Sequence, residues 1–220
     1  MNEPIWDGVT RSETLNEPVA TIRQQLADRA KASDWSGVLA ILTAYPTLVN
    51  ATRPGGRSLY ATLHQAAYDG APVEVVHQLL ARGAWRTLRT ARGERSSDIA
   101  ERRGHTHLAV ALTPILRLEM RPDVLMAIQG HLHALIRERV GNLVREHVLR
   151  LPELEPLLEL PTPRLWFPVP GMYGGFGFQL DHIDGSPVLV TKSWWRVVEG
   201  SGQRHIVSAH GNLLLEEGFV

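Results

Sequence analysis

Three pairs of residues recur at one fixed spacing: His64 and Asp98, Ala66 and Ala100, and Gly70 and Gly104 are each 34 residues apart. A self-similarity of this length marks a supersecondary unit used more than once. The clearest copy runs Leu63-His64-Gln65-Ala66-Ala67-Tyr68-Asp69-Gly70 and then Val75-Val76-His77-Gln78-Leu79-Leu80-Ala81-Arg82-Gly83-Ala84. Its small alanines let two antiparallel helices approach, and Gly70 permits the tight turn between them. Val76, Leu79 and Leu80 bury the second helix, and Gly83 stops it. Such a unit buries its apolar face only against neighbours, so about three copies are needed for a stable stack.

Two further copies flank it. Ile22, Leu26 and Ala30, then Val38, Leu39, Ile41 and Leu42, have helical spacing on either side of Ser33-Asp34, with Ser33 where Gly70 sits in the clear copy. Gly93 to Ala100, Gly104-His105 and the run Leu108, Val110, Ala111 and Leu112 form the third. The order leucine-histidine, alanine pair, glycine, leucine pair, glycine-alanine resembles the ankyrin repeat, whose period is about 33. Leu59, Tyr60 and Ala61 stand where that family has glycine-x-threonine, and Ser97 replaces a leucine. The resemblance implies a protein-binding module spanning residues 19–120, with contacts from loop tips and inner helices. In this chain those positions are Tyr60, His64, Gln65, Tyr68, Asp69, Trp85, Arg86 and Arg89. Trp85, at a hairpin-loop position, is the expected exposed aromatic contact.

The remaining segments read differently. Residues 1–18 lack periodicity and are expected as a tail lying on the first repeat or partly disordered. Pro122 opens a long helix whose apolar stripe runs Leu125, Ile128, Leu132, Leu135, Ile136, Val140, Leu143, Val144 and Val148, opposite Arg137, Glu138, Arg139, Arg145 and Glu146. Residues 121–160 are therefore expected as a capping helix and turn that covers the open end of the stack. Beyond Pro161 the aromatics and glycines concentrate. Runs at 165–167, 176–180, 187–191, 194–198, 204–209 and 213–219 read as strands, with turns at 181–186, 199–203 and 210–212. Residues 161–220 should form a small antiparallel sheet of four or five strands docked on the long helix. The expected class is α+β: an ankyrin-type α-hairpin stack, a long capping helix and a C-terminal antiparallel sheet.

Lys plus Arg and Asp plus Glu number 23 each, roughly balanced in both halves. A nucleic-acid partner needs a concentrated basic footprint, so it is not expected. The chain has no cysteine, which removes disulfides, thiolate nucleophiles and cysteine zinc sites and fits a cytoplasmic protein. No leader-like or membrane-spanning run stands out. No cofactor is implied. His131 and His133 would point about 200° apart on a helix and cannot share an ion, His105 and His107 sit at an inter-helix turn, and Asp181-His182-Ile183-Asp184 reads as an ordinary turn. No metal site is expected.

Two sets of residues in the C-terminal module bear on chemistry. The loop from Pro168 to Phe176 leads into a strand, whereas a phosphate-cradling loop normally opens a helix, so it reads as a structural turn needing positive φ and close backbone approach. His205, with Arg196, Arg204 and Lys192 on neighbouring strands, is a candidate catalytic set: the histidine to transfer a proton, the arginines to hold a phosphate- or carboxylate-bearing substrate. The module loosely resembles barnase-like ribonuclease toxins, and more generally a module of bacterial hypothetical proteins with no assigned activity. It holds four Arg or Lys against five Asp or Glu, and so lacks a basic field for RNA. Two readings therefore stand side by side. One is an ankyrin-repeat protein that binds another protein. The alternative is an enzyme or toxin-like domain at residues 161–220, served by the repeats. Of the adjacent Trp194 and Trp195, one should be core and the other exposed or under the helix.

Overall fold

The computed structural model describes residues 3–196 and 201–218. Sequence expectations that touch residues 197–200 and 219–220, namely the end of a strand begun at Trp194, the start of a turn at Glu199 and the end of the last strand at Phe219, lie outside the described residues. The architecture is α+β. It divides into two compact units, Thr10–Ile115 and the combination of Met1–Val9 with Leu116–Val220.

The helical unit contains α1 (Glu17–Lys31), α2 (Trp35–Ala44), α3 (Thr62–Asp69), α4 (Val73–Ala81), α5 (Ser96–Arg103) and the one-turn α6 (Ala109–Leu112). They form three successive helix pairs. The turn inside each pair passes through a left-handed residue, Ser33 (φ 56), Gly70 (φ 66) and Gly104 (φ 77). A left-handed residue ends a helix and redirects the chain within one step. The 34-residue spacing also repeats a cap: His64 Nδ1 accepts from the Ala61 amide at 3.1 Å, and Asp98 Oδ2 accepts from the Arg95 amide at 2.8 Å. In both, the third helical residue reaches back to satisfy an amide that the helix leaves unpaired.

One apolar core joins the pairs, with Leu26, Val38, Leu42, Leu63, Ala66, Leu79, Ile99, Leu108 and Leu112 all buried. Val110, expected among them, is 91 % exposed, because the last helix is a single turn that presents only Ala111 and Leu112 inward.

The second unit is built on α7 (Pro122–Glu146) and five strands: β1 (Arg164–Val169), β2 (Gly174–Ile183), β3 (Ser186–Trp195), β4 (Ser201–Ser208) and β5 (Gly211–Gly218). The strands pair antiparallel in chain order. The runs expected separately at 187–191 and from 194 are a single strand, since Lys192 and Ser193 merely continue the out-in alternation. β2 and β3 are joined by Asp184-Gly185, both at positive φ (50 and 76), which suits the right-handed twist of a two-residue hairpin. Leu165, Phe167, Phe176, Phe178, Leu180, Leu189 and Val207 are buried in this unit, as are Leu125, Ile128, Leu132, Leu135, Ile136 and Val140 of α7. The end of the expected α7 stripe departs from the pattern: Val148 lies beyond the helix at φ 48 and is 51 % exposed.

The N-terminal segment differs most from expectation. Residues 3–9 belong to the sheet unit and do not form a tail on the first repeat. Ile5 bridges Trp166 in parallel, with Trp6 N donating to Trp166 O at 2.8 Å and Trp166 N to Pro4 O at 2.9 Å. Trp6 is 1 % exposed, its indole N–H donates to Arg150 O at 3.0 Å, and the Arg150 guanidinium lies 5.0 Å from its ring. An apolar tryptophan six residues into a polar segment is thus a core residue, and its strand covers the β1 edge, which would otherwise offer unpaired backbone groups.

Candidate functional site

In the helical unit a groove of about 490 Å³ runs along the inner helices, and Tyr60, Gln65, Tyr68 and Asp69 all line it. Half of the expected contact residues are therefore brought together. The Tyr60 and Tyr68 rings meet edge to face with centroids 6.2 Å apart. Asp69 Oδ2 accepts from Gln65 Nε2 at 3.0 Å and from Ser33 Oγ at 3.3 Å, so that carboxylate is held in place from two successive pairs. An adjoining hollow of about 540 Å³ shares Tyr60 and Tyr68 and adds Arg57, Arg92 and Arg102.

Sequence reasoning missed the cations around these tyrosines. The Arg103 guanidinium lies 4.3 Å from the Tyr68 centroid and its Nε donates to Tyr68 O at 3.3 Å. Arg53 pairs with Asp28, and Arg102 pairs with Glu94 at 2.8 Å. Arg23, only 2 % exposed, donates from Nε and Nη2 to Thr52 O and fixes the groove's floor. The signal available in the sequence was charge: Thr10–Ile115 carries 13 Lys or Arg against 9 Asp or Glu, and the remainder 10 against 14. The rough balance of the two halves conceals this asymmetry because the chain divides elsewhere than at its midpoint.

The other expected contacts hold the framework. His64 is fully buried: with Nδ1 accepting from Ala61, Nε2 carries the proton and donates to Leu88 O at 2.9 Å. Trp85 is not exposed as expected but 5 % accessible, and its amide donates to Asn50 Oδ1 while Asn50 Nδ2 donates to Gly83 O. The loop is thus clamped at two backbone groups by Asn50, from the end of the preceding helix pair. Arg86 Nε donates to Ala111 O and Arg89 Nη1 to Gly93 O, both at 2.8 Å.

In the sheet unit, the candidate set His205, Arg196 and Arg204 does not converge. Arg204 and His205 are consecutive strand residues and face opposite sides of the sheet. Arg204 reaches Glu216 at 3.5 Å on the outer face, in register with Lys192, and Arg196 is exposed beyond the end of β3. His205 faces α7 and is 7 % exposed. Its arginine neighbour is one the sequence placed on the solvent side of the helix, Arg139, whose Nη2 donates to Ser201 O at 2.9 Å and Oγ at 3.3 Å. The two line a cleft of about 600 Å³ with Glu138, Gln203, Asn212 and Trp195. Burial first, and then the Arg139 charge, holds the His205 pKa below the ordinary histidine value, against an opposing pull from Glu138 and Glu217. Neither of the adjacent tryptophans is the core residue expected: Trp195 is half-buried and lines this cleft, and Trp194 is 44 % exposed on the other face.

The glycine loop is built by close approach. A Cβ on Gly174 would sit 1.9 Å from Trp194 O, and one on Gly175 2.2 Å from Phe167 O. His133 Nε2 donates to Pro152 O at 2.7 Å, and burial lowers its pKa. Among the described residues no helix is long and apolar enough to cross a membrane. In comparisons with known proteins, the sequence matches no family model and no curated protein.

Proposed function

We propose that Thr10–Ile115 is an ankyrin-type repeat module and that the groove around Tyr60 and Tyr68 binds an acidic segment of another protein. The observation that carries this reading is the joining of two part-exposed tyrosines with a rim of cations. Tyrosine and arginine dominate binding hot spots because they offer large, rigid, amphipathic contact area. Lys31, Arg57 and Arg92 have no ion pair among the described residues, so this rim can accept carboxylates. The unit's excess of basic residues supports the same partner sign through electrostatic steering. The repeat reading is supported by the three left-handed turns and by the cap that His64 and Asp98 share. A cytoplasmic setting agrees with the absence of cysteine.

A peptide-display selection on the full chain, counter-selected on a Tyr60→Ala/Tyr68→Ala variant with wild-type circular dichroism, tests the reading. Enrichment of Asp- and Glu-rich peptides that bind only the tyrosine-bearing protein is expected. Selected peptides that bind both proteins equally would place recognition elsewhere.

A further inference from the structure

We propose that the cleft between α7 and the inner face of β4 and β5 binds a small organic monocarboxylate, held by Arg139 and His205. This site is independent of the groove in the helical unit.

The first support is an unfinished hydrogen-bond network. Arg139 Nε, His205 Nδ1, Thr191 Oγ1 and Ser193 Oγ are all buried without a hydrogen-bond partner among the described residues. Three of these side chains are more than nine-tenths buried: Thr191 is 0 %, Ser193 4 % and His205 7 % exposed. They lie together, because Thr191 stands opposite His205 and Ser193 opposite Gln203 in the β3–β4 register. Leaving a buried polar group unpaired costs about 1–3 kcal/mol, and proteins rarely tolerate several in one patch. Ligand acceptors drawn in against Arg139 and His205 would satisfy two of these four groups.

The chemistry of the walls selects the ligand. Arg139 spends Nη2 on Ser201 and leaves Nε without a partner among the described residues, so the guanidinium keeps donor capacity for a carboxylate oxygen. Its own pKa is lowered by burial, against the attraction of Glu217. Glu138 on α7 and Glu217 on β5 both act on His205, so the Arg139 cation stands against two carboxylates, and the second charge of a dianion would find no further cation to offset it. The volume of about 600 Å³ exceeds what a bare carboxylate fills, and Leu135, Trp195 and Leu214 supply an apolar wall for an organic body.

The test is an NMR titration of the full chain with benzoate, with benzyl alcohol as the uncharged isostere and inorganic phosphate as the dianion. Benzoate should shift the His205 ring, the Trp195 indole N–H and the Arg139 Nε–H saturably. Benzyl alcohol and phosphate should each bind about tenfold more weakly, the worth of one charge-assisted hydrogen bond. Arg139→Gln should weaken benzoate by a similar factor, with Arg139→Lys between. No saturable shift with benzoate, or benzyl alcohol or phosphate binding as tightly as benzoate, would overturn the proposal. So would a folded Arg139→Gln that keeps full affinity. If Arg139→Gln does not fold, the three-ligand comparison on the wild-type chain decides.

Discussion

The two units differ in how far along the chain they reach for their partners. In the helical unit the side-chain bonds that tie one helix pair to the next span close to the 34-residue spacing: Asn50 to Gly83 is 33 residues, Trp85 to Asn50 35, Arg103 to Tyr68 35, Ser33 to Asp69 36 and His105 to Tyr68 37. In the sheet unit Trp6 reaches Arg150 across 144 residues, Asn212 reaches His131 across 81 and Arg139 reaches Ser201 across 62. Helix pairs bonded in this way are held by nearest-neighbour terms. The sheet unit instead depends on closing long loops. Damage should therefore stay local in one unit and spread through the other.

The largest expected effect breaks the sheet unit from its far end. Trp6→Ala removes a fully buried indole and its bond to Arg150, and should cost about 3–5 kcal/mol. Hydrogen exchange should show loss of protection across β1 and β2 while α3 and α5 keep theirs. Equal loss in both units would mean that they do not unfold separately.

Next comes the contrast between two glycines of the stack. Gly70→Val forces a β-branched residue to φ 66, and its Cβ would approach the His105 ring to 2.6 Å, in the following repeat. It should lower stability by at least about 2 kcal/mol. Gly104→Ala meets open space at φ 77 and should cost only about 1 kcal/mol. Chemical denaturation of the pair checks the order, and equal costs would remove the inter-repeat clash from the account.

This contrast shows what could be read from the chain. The helix pairs were legible because each carries its own turn residue between two runs of helical spacing, and because Gly70 and Gly104 repeat. The strands were legible as apolar and aromatic runs, but the turn expected over 181–186 is confined to Asp184-Gly185, since Asp181, His182 and Ile183 continue β2. Trp6 was not, since nothing local to a polar segment says that it pairs with Trp166. Trp85 was misread because its loop is clamped by Asn50, from the end of the preceding helix pair. The set His205, Arg196 and Arg204 failed on strand parity. Arg139 was missed because the helix stripe alone does not tell which charged residue sits over a strand end.

Acid should act on the sheet unit through His205 and His133. Both folded pKa values lie below the ordinary histidine value of about 6.5, chiefly because burial disfavours the imidazolium. As pH falls through about 6.5 the unfolded chain binds protons that the folded chain refuses. Stability is therefore full above that pH and declines below it, until the folded-state values are passed. Thermal melts from pH 8 downward should show the decline, and His205→Gln/His133→Gln should flatten it; an unchanged slope in that variant would assign the effect to other groups.

The smallest effect is a gain. Val148 occupies the left-handed position after α7 at φ 48, where Leu149 N bonds Val144 O at 3.0 Å. Val148→Gly should relieve the strain of a β-branched residue there and stabilise by about 1 kcal/mol. A loss instead would show that the half-exposed valine packs more than it strains.

On the proposed reading, an acidic protein segment is recognised at the tyrosine groove and not at the sheet unit. The most direct test is isothermal titration of one selected acidic peptide into wild-type protein, Tyr68→Ala and His205→Ala. Tyr68→Ala should weaken binding by about 2 kcal/mol, as loss of an aromatic anchor does, with His205→Ala indistinguishable from wild type. Unchanged affinity in a folded Tyr68→Ala, together with loss in His205→Ala, would contradict the claim and move recognition to the sheet unit.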